Sequence, residues 1–127
     1  MRLLIVRHAE AEPGEPDELR PLSSAGRRQA RELGERLRAQ GLDADAIVTS
    51  PLLRARETAA ALALGEPDVD DRLAPGASPD DVRAVALERG QTVVVVGHQP
   101  DCGRAAAALA GGPEPPFPPC GTVLLEL

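Results

Sequence analysis

The chain has 127 residues, 43% of them hydrophobic, and a formal charge of −6. That length fits one domain around one core, which must be aliphatic because there is a single Phe and no Trp or Tyr. The acidic balance argues against a nucleic-acid surface, and since all 14 basic residues are Arg, Lys-based P-loop and Schiff-base chemistry is excluded.

The first element is a short apolar run, Leu3 to Val6, that leads straight into Arg7 and His8. Such a run reads as a fully buried strand of a parallel sheet. Arg7 and His8 then stand at its carboxyl end, where open α/β sheets bind ligands. A long polar loop follows, Ala9 to Pro21, rich in acids, Pro and Gly. Loops of this length are often functional.

Ser23 is a suitable N-cap for a helix running to about Gln40. Ala30, Leu33 and Leu37 form its apolar stripe and Gly41 its stop. Ala46 to Thr49 is a second short strand. Ser50-Pro51 then opens a second helix with Pro at the first helical position. This helix buries Leu52, Ala55, Ala59 and Leu62 and carries Arg54 on its first turn, beside the positive helix terminus. Val69 to Leu73 reads as a weak third strand.

Ser78 caps a third helix, with Asp81 placed as in a capping box, and Gly90 ends it. Val93 to Val96 repeats the opening pattern, an apolar strand closed by Gly97 and His98. A helix from about Pro100 to Ala110 follows. Gly111 to Pro119 holds five prolines and must be a loop. Thr122 to Leu127 closes the chain as an edge strand. Strands alternating with helices give an α/β fold with a mainly parallel sheet.

The chain has two histidines, and each closes an apolar strand. One histidine at a strand end is ordinarily satisfied by a backbone carbonyl, and Arg54 alone would be a solvated helix position. If the strands are neighbours, however, Arg7, His8, Arg54 and His98 converge at one sheet edge. Two guanidiniums and two imidazoles make a pocket for a tetrahedral dianion. Arginine grips phosphate oxygens through paired donors. A neutral imidazole can attack phosphorus and carry the phosphoryl group, and a second, protonated imidazole would stabilise the transferring oxygens. No further ligands accompany the histidines at metal-binding spacing, so neither a metal nor another cofactor is expected.

Cys102 and Cys120 lack metal spacing and are expected as free thiols. The opening apolar run is too short for a signal-peptide core or a membrane span, so a cytoplasmic location is expected.

The stretches RHAE (Arg7–Glu10), SPLLRARET (Ser50–Thr58) and VVGHQP (Val95–Pro100) resemble the histidine phosphatase superfamily, the phosphoglycerate-mutase-like fold. Their order and spacing match along the whole chain, and RPLSSAGRRQA (Arg20–Ala30) is similar to that family's first-helix signature. The resemblance implies a single three-layer α/β/α domain over residues 1–127, with helices on both sheet faces. It also implies His8 as the phosphorylated nucleophile, Arg7 and Arg54 as phosphate ligands, and His98 as the second histidine of the pocket. Within the superfamily, the small size and the RPLSSAG loop are similar to SixA-type phosphohistidine phosphatases. The implied partner is a protein domain bearing phosphohistidine, with no nucleic acid or membrane.

One departure bears on the substrate. Many members carry a glutamate after the third strand, in a pattern like R-L-R-E, as the acid that protonates an alcohol leaving group. Here Arg72-Leu73 is followed by Ala74-Pro75, so Pro75 stands where the acid would, and SixA-type members lack it too. A histidine side chain has a pKa of about 6.5, and an imidazole protonated on its other nitrogen departs without a strong protein acid. Asp70, Asp71, Glu10 and Glu12 stand as alternative donors. The competing readings are a small-molecule phosphomonoesterase of the same fold and a non-catalytic module that binds phosphorylated partners.

Overall fold

The computed structural model describes all 127 residues. Its elements are β1 (Arg2–Arg7), α1 (Ser24–Ala39), β2 (Ala46–Thr49), α2 (Leu53–Ala61), β3 (Pro67–Val69), α3 (Pro79–Leu87), β4 (Thr92–Gly97), α4 (Asp101–Ala110) and β5 (Thr122–Glu126). The sheet order is β3-β2-β4-β1-β5. Every pairing is parallel except β1 with β5. This is the expected α/β architecture, with β5 on an edge.

Alternation along the central strands divides the core. Leu3, Ile5, Val48, Val93 and Val95 face α3 and α4, meeting Val82, Val85, Ala86, Ala105 and Ala106. Leu4, Val6, Ile47, Val94 and Val96 face α1 and α2, meeting Leu33, Leu37, Ala55, Ala59 and Leu62. Central strands with two buried faces must be continuously apolar, which is why LLIV and VVVV are the most legible stretches of the sequence. The helix caps follow local chemistry. Ser23 Oγ accepts from Gly26 N at 2.9 Å, and Ser78 with Asp81 forms a complete capping box on α3.

Two local expectations are corrected. First, α2 starts at Leu53, with Leu52 extended as its N-cap, so Pro51 is not its first helical residue. The hydroxyl of Ser50 accepts from Leu52 N at 3.2 Å and bonds His98 at 2.7 Å, which holds these residues out of the helix. Second, β3 spans Pro67–Val69 and Asp71–Leu73 is a 3-10 turn. Asp70 accepts from Arg72 N at 3.0 Å and turns the chain where the strand was expected, while Pro67 is tolerated on an edge strand. The Ala9–Pro21 segment is a loop, with one 3-10 turn, Asp17–Leu19, and an isolated bridge from Ala11 to Leu22 just beyond it.

Cys102 and Cys120 are both free, and burial pushes their thiols up to about 12 and about 11. No helix is long and apolar enough to cross a membrane.

Candidate active site

The register of β1 and β4 places Arg7 opposite Gly97, so His8 and His98 leave adjacent parallel strands at the same end. The His8 amide donates to the Gly97 carbonyl at 3.0 Å and extends the pairing by one residue. The two imidazoles lie with ring centroids 5.3 Å apart. Arg7 and Arg54 both act electrostatically on both rings. The structure therefore brings together all four residues singled out in the sequence.

The tautomer of His8 follows from its partner. Its Nδ1 lies 2.7 Å from the Ala9 carbonyl. A carbonyl only accepts, so Nδ1 carries the proton and Nε2 holds the lone pair. Burial, against the opposing pull of the Ala9 carbonyl, drops the pKa of His8 to about 4, with Arg54 and Arg7 adding to the fall. At neutral pH this is an uncharged imidazole with a basic Nε2, as a nucleophile must be.

His98 is buried, and its Nε2 meets Ser50 Oγ at 2.7 Å. Burial, then His8 and Arg54, drives its pKa down to about 3. The protein by itself thus holds His98 neutral at pH 7, where the sequence reading took it as protonated. The reason is burial first, with His8 and Arg54 adding to it.

Each guanidinium is fixed through one side. Arg7 donates from Nη1 to the Phe117 carbonyl at 2.9 Å. Arg54, 7% exposed, donates from Nη1 to the Asp17 carbonyl at 2.9 Å and from Nη2 to Asp17 Oδ2 at 3.2 Å. In both arginines Nε is buried without a partner, and the third such side-chain atom in the chain is His98 Nδ1. Buried polar atoms are nearly always satisfied, so this concentration of three orphans marks the place where the fold leaves donors for something else. A tetrahedral oxyanion has the acceptors to satisfy them.

Two carboxylates beyond the strand ends, Asp70 and Asp17, are held ionised by arginines. Arg72 holds Asp70 at 2.8 Å and Arg89 approaches at 3.2 Å, with the Arg72 contacts drawing the Asp70 pKa down to about 2. Arg20 and then Arg54 hold Asp17 below the usual carboxylate range. Glu10 Oε2 accepts from Ser23 Oγ at 2.7 Å. Pro75 is exposed, in a turn stitched to the start of α4 by Asp101, whose Oδ2 accepts from Gly76 N at 2.8 Å and Ala77 N at 3.2 Å.

Sequence reasoning missed four supports. Ser50 and Thr58 lie inside the SPLLRARET stretch but were read only as helix residues. Thr58 Oγ1, fully buried, accepts from Ala9 N at 3.0 Å and donates to the Arg54 carbonyl at 2.8 Å, tying the His8 and Arg54 segments together. Asp17 and the Phe117 carbonyl come from the two longest irregular segments, where local pattern carries no signal.

Residues 3–75 match the family model for the histidine phosphatase superfamily, branch 1. The chain is 40% identical to an uncharacterised protein of Picosynechococcus sp. over 124 residues, 88% of this chain and 74% of that one. Over 69 residues, 54% of this chain, it is 39% identical to the serine/threonine-protein phosphatase Pgam5 of Drosophila mojavensis, of which it spans 24%. Among solved structures, the protein histidine phosphatase SixA complexed with tungstate superimposes with a TM-score of 0.90 at 26% identity, over 100% of this chain and 88% of that one.

Proposed function

The chain belongs to the histidine phosphatase superfamily, and we propose that it removes phosphate from phosphohistidine on a protein, with His8 as the nucleophile. His8 Nε2 attacks phosphorus, and the substrate P–N bond breaks with its electron pair staying on a substrate imidazole that carries a proton on its other nitrogen and so leaves neutral. Arg7 and Arg54 grip the phosphoryl oxygens through their Nε sides, with His98 beside them. A dianion against His98 opposes the burial and neighbouring positive charge that keep it neutral, so it takes up a proton as phosphate binds. Water then attacks the phosphorylated His8. A P–O bond forms, the P–N bond breaks, and the pair returns to Nε2 as inorganic phosphate departs with the water's protons.

The observation that carries the substrate class is the state of the nearby carboxylates. Asp70 and Asp17 are held ionised by arginines, and by the resemblance Pro75 stands where many members of the superfamily, though not the SixA-type ones, carry an acid. Neither carboxylate can hand a proton to a departing alkoxide, whereas an imidazole protonated on its other nitrogen needs no such help. The likeness to SixA supports the same reading. The likeness to Pgam5 favours a second one, a phosphoester on a protein side chain, which would need Glu12 or Asp71 as the donor.

The test is a rate comparison on the purified protein. Phosphohistidine protein should be cleaved well, and phosphomonoesters should be cleaved ever faster as the leaving alcohol becomes more acidic. A shallow dependence across aryl and alkyl phosphates would mean a working general acid and would favour the phosphoester reading.

A further inference from the structure

We infer that Asp17 is a positioning residue that turns Arg54 so that its Nε side faces the phosphate. The inference rests on the proposed role of Arg54 as a phosphate ligand. It comes from how one guanidinium is shared. A guanidinium offers two bidentate sides, one formed by Nη1 with Nη2 and the other by Nε with Nη2. Asp17 fills the first with two of its own atoms, the backbone carbonyl at 2.9 Å on Nη1 and Oδ2 at 3.2 Å on Nη2. The second contains the buried Nε that has no partner. Asp17 thus leaves the Nε side of Arg54 unfilled, while its carboxylate also acts electrostatically on His98.

Asp17 is itself held. Its Oδ1 accepts from Arg20 Nη1 at 3.0 Å, and Arg20 Nε donates to the Glu12 carbonyl at 2.8 Å. The chain Arg54–Asp17–Arg20–Glu12 thus runs from a buried phosphate ligand out through the polar loop. The same principle operates at Arg7, where the Phe117 carbonyl takes Nη1 and leaves Nε. There a main-chain group does the holding; at Arg54 a carboxylate adds to it.

Two expectations separate positioning from a structural role and from plain charge. The Asp17 side chain is 57% exposed but its partner Arg54 is buried, so its loss should lower the melting midpoint. Binding measured well below that midpoint, where every variant is folded, separates positioning from a structural role. Removing a negative charge beside an anion site should by Coulomb's law tighten anion binding, whereas losing the orientation of Arg54 should weaken it. The sign decides.

The experiment is titration calorimetry of the full chain with tungstate, comparing wild type with Asp17→Ala, Asp17→Asn, Glu18→Ala, Arg54→Ala and the Asp17→Ala/Arg54→Ala double variant. Glu18 is the neighbouring acid and has no bond to Arg54. Asp17→Ala should bind tungstate about tenfold more weakly, the equivalent of one hydrogen bond to a charged group. Asp17→Asn, which keeps an acceptor oxygen, should recover most of that loss, and Glu18→Ala should bind at least as well as wild type. In the Arg54→Ala background Asp17→Ala should add nothing, because the two residues act as one unit. Unchanged or tighter binding by Asp17→Ala, or a full additive loss in the double variant, overturns the inference while the Arg54 reading stands. Wild-type affinity in Arg54→Ala overturns both.

Discussion

Thr58→Val tests whether the active corner is held by a hydroxyl buried beneath it. The substitution preserves volume and removes one oxygen. In the wild type that oxygen accepts the Ala9 amide at 3.0 Å and donates to the Arg54 carbonyl at 2.8 Å. The Arg54 carbonyl keeps its helical N–H in the variant, but the Ala9 amide, in a residue with no exposed surface, is left without an acceptor. An unsatisfied buried donor costs about 1–3 kcal/mol. For a chain of this size that lowers the melting midpoint by about 4–12 °C, at roughly 4 °C per kcal/mol. Activity should fall further than stability explains. The Ala9 carbonyl fixes His8 Nδ1 at 2.7 Å, and when Ala9 loosens, Nε2 loses its aim. Misplacement on the ångström scale costs up to about a hundredfold, so a loss of about tenfold in kcat is expected. Thermal melts and steady-state kinetics on Thr58→Val and Thr58→Ser read the two effects. Thr58→Ser keeps the hydroxyl and should retain kcat while losing about 1 kcal/mol for the missing methyl. Wild-type kcat in Thr58→Val, or equal kcat losses in both variants, would refute the argument that the hydroxyl positions His8.

Arg54→Lys should lower kcat/KM by about ten- to a hundredfold, because lysine keeps the charge but not the planar fork; a folded variant with wild-type kinetics would remove Arg54 from the site. Acid should destabilise the protein before its carboxylates titrate. His8 and His98 are depressed to about 4 and about 3, so between pH 6.5 and pH 4 the unfolded chain binds more protons than the native one and stability falls as pH falls. Melting midpoints measured from pH 7 to pH 4 should drop, and His98→Asn should flatten the drop. The acid limb of kcat/KM, which reports the unliganded enzyme, should lie near pH 4 rather than 6.5. Because the proposed chemistry runs through arginines and histidines, EDTA should leave turnover unchanged; loss restored by a divalent ion would overturn that route.

Much of this was legible in the sequence because the relevant signals are local. Leu3–Val6 and Val93–Val96 are apolar on both faces, so only a central parallel strand suits them, and whatever follows such a strand stands at the ligand edge. Arg7, His8 and His98 could be placed by that rule alone. Ser23, Ser78 and Asp81 announced two helices through side chains that bond their own neighbours. The illegible parts depend on partners far along the chain. Ser50 was read as opening a helix because its bond to His98, 48 residues away, has no local trace. Asp70 ended the third strand early through a side-chain turn that competes with sheet pairing. The neutral state of His98 was likewise hidden, since it arises from burial beside His8 and Arg54 rather than from any neighbour in sequence.

The central claim is that His8 carries the phosphoryl group. The protein should be mixed with a phosphohistidine protein, quenched early, digested at neutral or basic pH to preserve the acid-labile bond, and mapped by mass spectrometry. The phosphoryl mass should sit on the peptide containing His8, and His8→Asn should abolish both label and turnover. Label on His98, or turnover with no labelled residue at all, would contradict the account.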